Sequence, residues 1–217
     1  TYVGGHGGGC VEFAGDDHDT IQKQARTLAQ AHKDQFEVLT HVTESEAEEG
    51  KYWDVRHESF NLLRKHVKGK HTAPFIDDFV VKPEYLPEFL PQLDAILKKY
   101  DLTYTVAGHP GDGNFHIIPL MKLTDPRTHS IILELSERVY DLVLEYHGSI
   151  TAEHNDGIIR SPYLEKQYGS IVTDLFKKTK ELFDPEYVFN PHKKVGVTKD
   201  DIAKYLSKGD YGEATKK

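Results

Sequence analysis

Two short segments contain the residues of this sequence that are best suited to chemistry. The first is GHPGDGNFH at 108–116, which has His109 near its start and His116 at its end. The second is ITAEHNDG at 150–157, in which a glutamate precedes a histidine. Imidazole and carboxylate groups bind Zn²⁺, Mn²⁺ or Fe²⁺, and imidazole also exchanges a proton near neutral pH. If the segments meet in space, they predict a metal site with positions open for water or substrate.

The ligand set that these segments offer is His109, His116 and Glu153. His116 lies between Phe115 and Ile117, so strand alternation predicts that its ring points away from those apolar side chains. A lone histidine in such a strand is more often a structural residue than a ligand. Sequence spacing leaves both interpretations open.

The elements that must position these residues follow from the hydrophobic pattern. Apolar segments at 102–107 and 114–119 flank the turn sequence PGDG, which predicts a β-hairpin. Further strands are predicted at 10–14, 36–42, 73–81 and 149–152. Helical spacing predicts helices at about 19–33, from about 44 to Leu63, from Pro87 to Tyr100, from Asp125-Pro126 to Gly148, and at about 168–183.

This order predicts an α+β fold in which helices pack on a mainly antiparallel sheet. We expect one domain at 10–198, preceded by a flexible glycine-rich lead-in at 1–9 and followed by a loosely ordered polar tail at 199–217.

The composition narrows the functional classes. The 217 residues carry a formal net charge of -8, and their basic residues are dispersed, which argues against nucleic acid as a partner. Cys10 is the single cysteine, so a metal site here must use histidine and carboxylate. No apolar run is long enough to cross a membrane, and no signal segment is evident, so we expect a cytoplasmic protein.

Three motifs in order resemble the C-terminal domain of the FAD-linked oxidases, the family of D-lactate dehydrogenase, glycolate oxidase and D-2-hydroxyglutarate dehydrogenase. They are GHPGDGNFH, GSITAEHNDG and DPEYVFNPHKKVG, and WDVR at 53–56 and FIDDFVVKPEYLPEFLPQL at 75–93 match upstream elements. The resemblance covers nearly the whole chain. It implies a ferredoxin-like α+β domain and the oxidation of a small 2-hydroxy acid to a 2-oxo acid.

The resemblance also implies a role for each matching residue. The divalent metal ligands would be His109, His116 and Glu153. His154 would be the general base, and Arg56 would hold the substrate carboxylate through a two-pronged contact. Asn190 would lie near the flavin. The structural alternatives are a surface Arg56 paired with Glu58, and a turn residue at position 190 before Pro191.

The sequence departs from the family pattern at the site. Asn155 and Asp156 follow the Glu-His pair, where glycine is common in the family, and Ile118 stands where some members have a polar residue. These differences bear on the choice of substrate.

The hydride acceptor would be FAD, held mainly by an upstream domain that this chain lacks. By itself the chain is therefore expected to be inactive, with an FAD-binding domain as its partner in the same full-length protein or in a separate subunit. Two alternatives stay open: a metal-dependent hydrolase with a His/His/Glu site, and a non-catalytic binding module.

Overall fold

The computed structural model describes residues 8–36, 38–66 and 69–207, without the side chains of residues 56 and 59–66. Most of the lead-in predicted at 1–9 lies outside the described residues. The chain divides into two compact units, one within Thr1–Leu63 and the other within Arg64–Lys217. The single domain expected at 10–198 is thus distributed over both units.

The first unit is helical. Helix α1 (His18–Gln35) begins where the Asp17 carboxylate accepts the backbone N–H of Thr20 at 3.0 Å. Helix α2 (Glu46–His66) has an acidic first turn, and the Ser45 hydroxyl accepts the N–H of Glu48 at 3.3 Å. Side-chain oxygens satisfy N–H groups that the first turn leaves free, and acidic groups favour the positive end of the helix dipole. The two helices predicted here are confirmed.

The strands predicted at 10–14 and 36–42 were wrong, since no described residue of either segment lies in a strand. Val11 is 67% exposed, and Leu39 is fully exposed. A short apolar run becomes a strand only when a neighbouring backbone accepts and donates its hydrogen bonds. In the described part of the first unit, no segment is a strand that could supply them.

The second unit contains an antiparallel sheet centred on strand β4 (Asn114–Met121). Strand β3 (Thr103–His109) pairs with one edge of β4. Strand β2 (Ile76–Val80) and the short strand β1 (His71–Thr72) pair with the other edge. The predicted hairpin is therefore confirmed, as is the mainly antiparallel α+β class.

The hairpin turn depends on Gly113. A 3₁₀ turn at Pro110–Asp112 joins β3 to β4, and Gly113 follows it with φ of 74°. Its N–H donates to the Pro110 carbonyl at 3.1 Å, and its own carbonyl accepts the Val81 N–H at 3.0 Å. A Cβ at this position would lie 1.7 Å from the Val81 carbonyl oxygen. Only glycine therefore allows this close approach between the turn and the end of β2.

Two helices cover the sheet. Helix α3 (Leu86–Leu97) and helix α4 (Arg127–Glu145) share one hydrophobic core with the strands. Fully buried core side chains include Phe79 of β2, Phe89 of α3 and Leu135 of α4. Tyr140 of α4 donates its hydroxyl to the Phe75 carbonyl at 2.6 Å, which fixes the helix against the segment that enters β2.

The remaining elements follow α4. The strand predicted at 149–152 is reduced to a single bridge between Val80 and Ser149. The short helix α5 (Gly157–Arg160) leads through a 3₁₀ turn to helix α6 (Leu164–Phe183).

Residues 199–207, which the sequence pattern assigns to the polar tail, form helix α7 (Lys199–Ser207). Ile202 of α7 is 2% exposed and belongs to the core, because a helical repeat gives even a short polar segment one apolar face. Residues 208–217 lie outside the described residues. Across the described helices, none is long and apolar enough to span a membrane.

The turn predicts a contrast between two neighbouring glycines. We expect Gly113→Ala to lower the free energy of unfolding by at least about 2 kcal/mol, through positive φ and the clash with Val81. Gly111→Ala is the control, since a Cβ there meets no atom within 4 Å. Urea denaturation of both variants measures the difference, and equal stability would show that the turn tolerates a Cβ at 113.

Candidate metal centre

The structure brings the two chemistry-bearing segments together. Glu153 Oε1 lies 3.0 Å from His116 Nε2, 3.5 Å from His154 Nε2 and 3.6 Å from His109 Nε2. His109 ends β3, His116 lies within β4, and the other two residues belong to the loop after the Ser149 bridge. Three imidazole nitrogens therefore lie within 3.6 Å of one carboxylate oxygen at the turn end of the hairpin.

Burial in this cluster is graded. The His116 side chain is 7% exposed, whereas those of His109, Glu153 and His154 are 53%, 50% and 46% exposed. Phe115 and Ile117, the neighbours of His116 in β4, belong to the hydrophobic core. One wall of the cluster is therefore part of the packed sheet, and the opposite side is open to solvent.

A bulge in β2 supplies two carboxylates to this wall. Asp77 pairs with His116 and Phe79 with Phe115, so Asp78 is an extra residue, and its φ is 66°. Successive side chains of a regular strand point to opposite faces, but a bulge interrupts that alternation. Both carboxylates consequently reach the 151–154 loop.

Asp78 fixes the backbone of that loop. Its side chain is fully buried and accepts the N–H groups of Ala152 at 3.0 Å, Glu153 at 3.1 Å and His154 at 2.8 Å. The Asn114 amide donates to the same carboxylate at 3.2 Å. Burial alone would raise the pKa of Asp78, but the loop N–H donors outweigh it and hold that pKa below its ordinary value.

Asp77 contacts the side chains rather than the backbone of the site. Its Oδ1 lies 3.0 Å from His116 Nδ1, and its Oδ2 lies 3.3 Å from His154 Nδ1. The hydrogen bond with Asp77 raises the pKa of His116 above its ordinary value, although burial opposes this. The carboxylate thus stabilises positive charge on a buried ring.

Arg160 of α5 forms hydrogen bonds with backbone carbonyls beside the bulge. Its guanidinium is nearly buried, donates to the Asp77 carbonyl from Nε at 3.3 Å and from Nη2 at 2.9 Å, and donates to the Asn155 carbonyl at 2.8 Å. Nη2 also lies 3.8 Å from the Asp78 carboxylate. One cation therefore ties β2 to the loop and offsets part of the buried negative charge.

The geometry fits a transition metal ion. Ligand atoms about 2.1 Å from a tetrahedral Zn²⁺ lie about 3.4 Å from one another, and Glu153 Oε1 is 3.0–3.6 Å from the three imidazole nitrogens. One ligand atom each of Asp78, His116, Glu153 and His154 lies within 4.8 Å of the other three. The donor set is thus suitable, and either His109 or His154 is placed to be the third ligand beside His116 and Glu153.

The roles of two predicted site residues remain predictions. Arg56 lies in α2 of the other unit, and its side chain is outside the described residues. Asn190 is exposed with φ of 46°, in the segment that follows α6. This conformation suits the turn alternative for Asn190 and leaves its role toward a flavin as a prediction.

Sequence reasoning missed Asp77, Asp78 and Arg160. A signal was present, because two adjacent acidic residues interrupt the apolar run FIDDFVV at 75–81. Charged groups inside a strand that is buried on both sides require partners, so the pair pointed to a polar network.

The hydrogen bonds of the Asp78 carboxylate predict a difference in unfolding free energy between two Asp→Asn variants. Replacing its buried charge by an amide weakens the loop hydrogen bonds and leaves Arg160 without its nearby carboxylate. We expect Asp78→Asn to cost about 3 kcal/mol in unfolding free energy. Asp112→Asn, on the exposed hairpin turn, should change it by less than about 0.5 kcal/mol. Chemical denaturation measures both, and equal losses would contradict the role assigned to Asp78.

Comparison with known proteins identifies the family of this chain. Residues 9–194 match the family described as FAD linked oxidases, C-terminal domain. The chain is 28% identical to D-2-hydroxyglutarate dehydrogenase of Haemophilus influenzae over 193 residues, which is 84% of this chain and 18% of that protein.

Two further relatives are also 28% identical. They are the probable mitochondrial D-lactate dehydrogenase of Danio rerio (71% of this chain, 31% of that protein) and the glycolate oxidase subunit GlcD of Bacillus subtilis (54% and 25%). The chain therefore spans less than a third of each of these relatives. It belongs to the FAD-linked oxidase C-terminal domain family.

Proposed function

We propose that this chain is the substrate- and metal-binding C-terminal domain of an FAD-dependent 2-hydroxyacid dehydrogenase, which oxidises a 2-hydroxy acid to a 2-oxo acid. The observation that carries the proposal is the convergence of three imidazole nitrogens on one Glu153 oxygen. The names of the relatives support the substrate class, since 2-hydroxyglutarate, lactate and glycolate all place a hydroxyl beside a carboxylate.

His109, His116 and Glu153 are the proposed ligands of a divalent Zn, Mn or Fe ion. When bound, such an ion lowers the pKa of a coordinated hydroxyl group. His116 is the anchor because its ring is buried in the sheet, while His109 and Glu153 border the open side. A substrate can therefore approach without disturbing the sheet.

His154 is the proposed general base. Its side chain is 46% exposed, so a substrate hydroxyl can reach it. Its Nδ1 lies 3.3 Å from the Asp77 carboxylate, and we assign proton acceptance to its Nε2. An imidazole backed by a carboxylate is a familiar arrangement for proton abstraction near neutral pH.

Arg56 is proposed to hold the substrate carboxylate. A guanidinium offers two parallel N–H donors that match the two oxygens of a carboxylate. This contact would orient the substrate so that its hydroxyl faces His154.

FAD is the proposed hydride acceptor, because none of the side chains assigned to the site can accept a hydride. We assign Asn190 to the flavin side and propose that an FAD-binding domain, in the same full-length protein or in a separate subunit, holds most of the cofactor. Turnover is expected only when the two domains are together.

The element order supports the ferredoxin-like fold that we infer for the second unit. The order β2, α3, β3, β4, α4 is followed by the strand-like bridge at Ser149, which pairs with β2. Two β-α-β units of this kind place both helices against the sheet.

Metal content is the first test of the proposal. We expect near-stoichiometric transition metal in the untagged wild-type chain after metal-replete purification, measured by inductively coupled plasma mass spectrometry. His116→Ala and Glu153→Gln should lose the metal, His109→Ala should lose most of it, and His154→Asn should keep it. The reason is that removing a ligand leaves too few donors for tight binding.

The control is His18→Ala, whose side chain is 78% exposed on α1. If His154→Asn loses the metal and His109→Ala keeps it, the roles of the two histidines are exchanged. If the wild type binds no metal, the ligand assignment fails. Ester or phosphate hydrolysis without flavin would favour a hydrolase, and 2-hydroxy acid binding without metal would favour a binding module.

Turnover separates the roles of His154 and Arg56. In the flavoprotein that contains this domain, His154→Asn should lower kcat by at least about 100-fold, because the proton has no acceptor. Arg56→Lys should mainly raise KM, because a lysine cannot form the two-pronged contact. Steady-state assays with D-lactate, glycolate and D-2-hydroxyglutarate measure both effects. An unchanged kcat in His154→Asn would exclude it as the base.

A further inference from the structure

Helix α6 has an apolar side that faces solvent. Gly169 interrupts the helix with φ of 77°, and none of the residues 170–183, all of which the structure describes, is buried. Ile171, Leu175 and Leu182 recur at intervals of four and seven residues and therefore lie on one side of the helix. These three side chains are 80%, 53% and 76% exposed. The helix is thus amphipathic, but its apolar side is not covered.

A buried carboxylate holds two more exposed apolar side chains beside the end of α6. Asp184 is 7% exposed and accepts the backbone N–H groups of Val188 at 2.9 Å and Phe189 at 3.0 Å. Lys180 binds the same carboxylate and donates to the Phe189 carbonyl at 2.6 Å. Val188 and Phe189 are nevertheless 67% and 70% exposed, and Phe183 is 79% exposed. The fold fixes this segment without covering its side chains, and a rigid surface loses less conformational entropy on binding.

The exposed apolar side chains of this region are numerous enough for an interface. Six of them, which we call the α6 face, are Ile171, Leu175, Leu182, Phe183, Val188 and Phe189. Each is more than half exposed, so together they offer roughly 800 Å² of apolar surface. Monomeric proteins rarely expose apolar patches above a few hundred Å², and a stable interface covers about 800 Å² on each partner. The α6 face therefore predicts a macromolecular partner.

The charges beside the α6 face favour a protein rather than a lipid surface as that partner. Lys178 lies 2.6 Å from Asp174, and Lys177 lies 3.8 Å from Glu181. Residues 164–184 contain four basic and four acidic residues, so their formal charges cancel. An amphipathic helix that binds anionic lipid instead has an excess of basic residues on its polar side.

We infer that the α6 face is the surface on which the FAD-binding domain docks. Phe189 directly precedes Asn190, which the proposed function assigns to the flavin side. A second copy of the chain in this place would shield Asn190 from the flavin. The relatives have the length for a further domain, since the region that this chain matches is 18% of one relative and 31% of another. The identity of the occupant rests on the proposed function, whereas the exposure of the α6 face does not.

The first test compares labelling of the α6 face in the chain alone and in the flavoprotein that contains it. Carbene footprinting with mass spectrometry measures the accessibility of each side chain. We expect labelling of Leu182 and Phe189 to fall at least about 5-fold in the flavoprotein, because the core of an interface excludes solvent and reagent. Lys177, on the polar side of α6 and 60% exposed, is the control and should be labelled equally in both. Equal labelling of Leu182 and Phe189 in the two proteins would overturn the inference.

Glutamine variants test the same surface by substitution. Leu175→Gln/Leu182→Gln should keep the melting temperature of the chain alone within about 2 °C, because both side chains are already exposed. In the flavoprotein it should raise the labelling of Phe189 at least about 3-fold, because docking would bury polar groups without partners. Lys177→Gln is the matched control and should change neither measurement. If the double variant unfolds the chain alone, these side chains pack within the chain and the inference is wrong.

Light scattering and vesicle binding identify other occupants. A chain that dimerises by itself and thereby protects Leu182 and Phe189 assigns the α6 face to a second copy. Protection by phosphatidylglycerol vesicles, without protection in the flavoprotein, assigns the face to a membrane. Either result overturns the inference.

The outcomes separate this inference from the proposed function. A flavoprotein that holds FAD and protects the α6 face, but neither binds metal nor oxidises 2-hydroxy acids, rejects the proposed reaction and supports the docking surface. A flavoprotein that oxidises 2-hydroxy acids, while Leu182 and Phe189 stay as accessible as in the chain alone, supports the proposed function and overturns the docking surface.

Discussion

The site depends on one buried carboxylate, that of Asp78, which accepts three consecutive N–H groups from the 152–154 loop. Among the residues that the structure describes, the segment before this loop makes one bridge to the sheet, at Ser149, and the loop itself has no strand ladder. A charged acceptor forms stronger hydrogen bonds than a neutral one, and burial excludes competing water. The position of Glu153 and His154 relative to His116 is therefore set by this interaction.

The bulge in β2 divides two tasks between adjacent residues of the same type. Asp78 binds backbone groups and sets where the loop lies, while Asp77 forms a hydrogen bond with the ring of His116 and lies 3.3 Å from the ring of His154. A regular strand would direct these side chains to opposite faces, with only one of them toward the site. The positive φ of Asp78 is the conformational cost of placing both there, and Arg160 offsets part of the electrostatic cost.

The sequence was informative where local rules decide the structure. The PGDG turn predicted the hairpin that positions His109 and His116, and helical spacing located α1, α2 and α4. It failed where partners decide: the segments at 10–14 and 36–42 have strand-like composition, yet the described chain gives them no strand to pair with. The roles of Asp77, Asp78 and Arg160 could not be predicted for the same reason, since their hydrogen-bond partners are 39 to 83 residues away along the chain.

The charges around the cluster explain why it suits a cation. Asp77, Asp78 and Glu153 bring three carboxylates to one place, and among the described residues the buried cation beside them is Arg160. His116 responds with a raised pKa, which means that the site favours positive charge at that ring. A divalent ion bound by His116 Nε2 would supply that charge in place of a proton. A substrate would reach this cluster from the side on which the His109, Glu153 and His154 side chains are about half exposed.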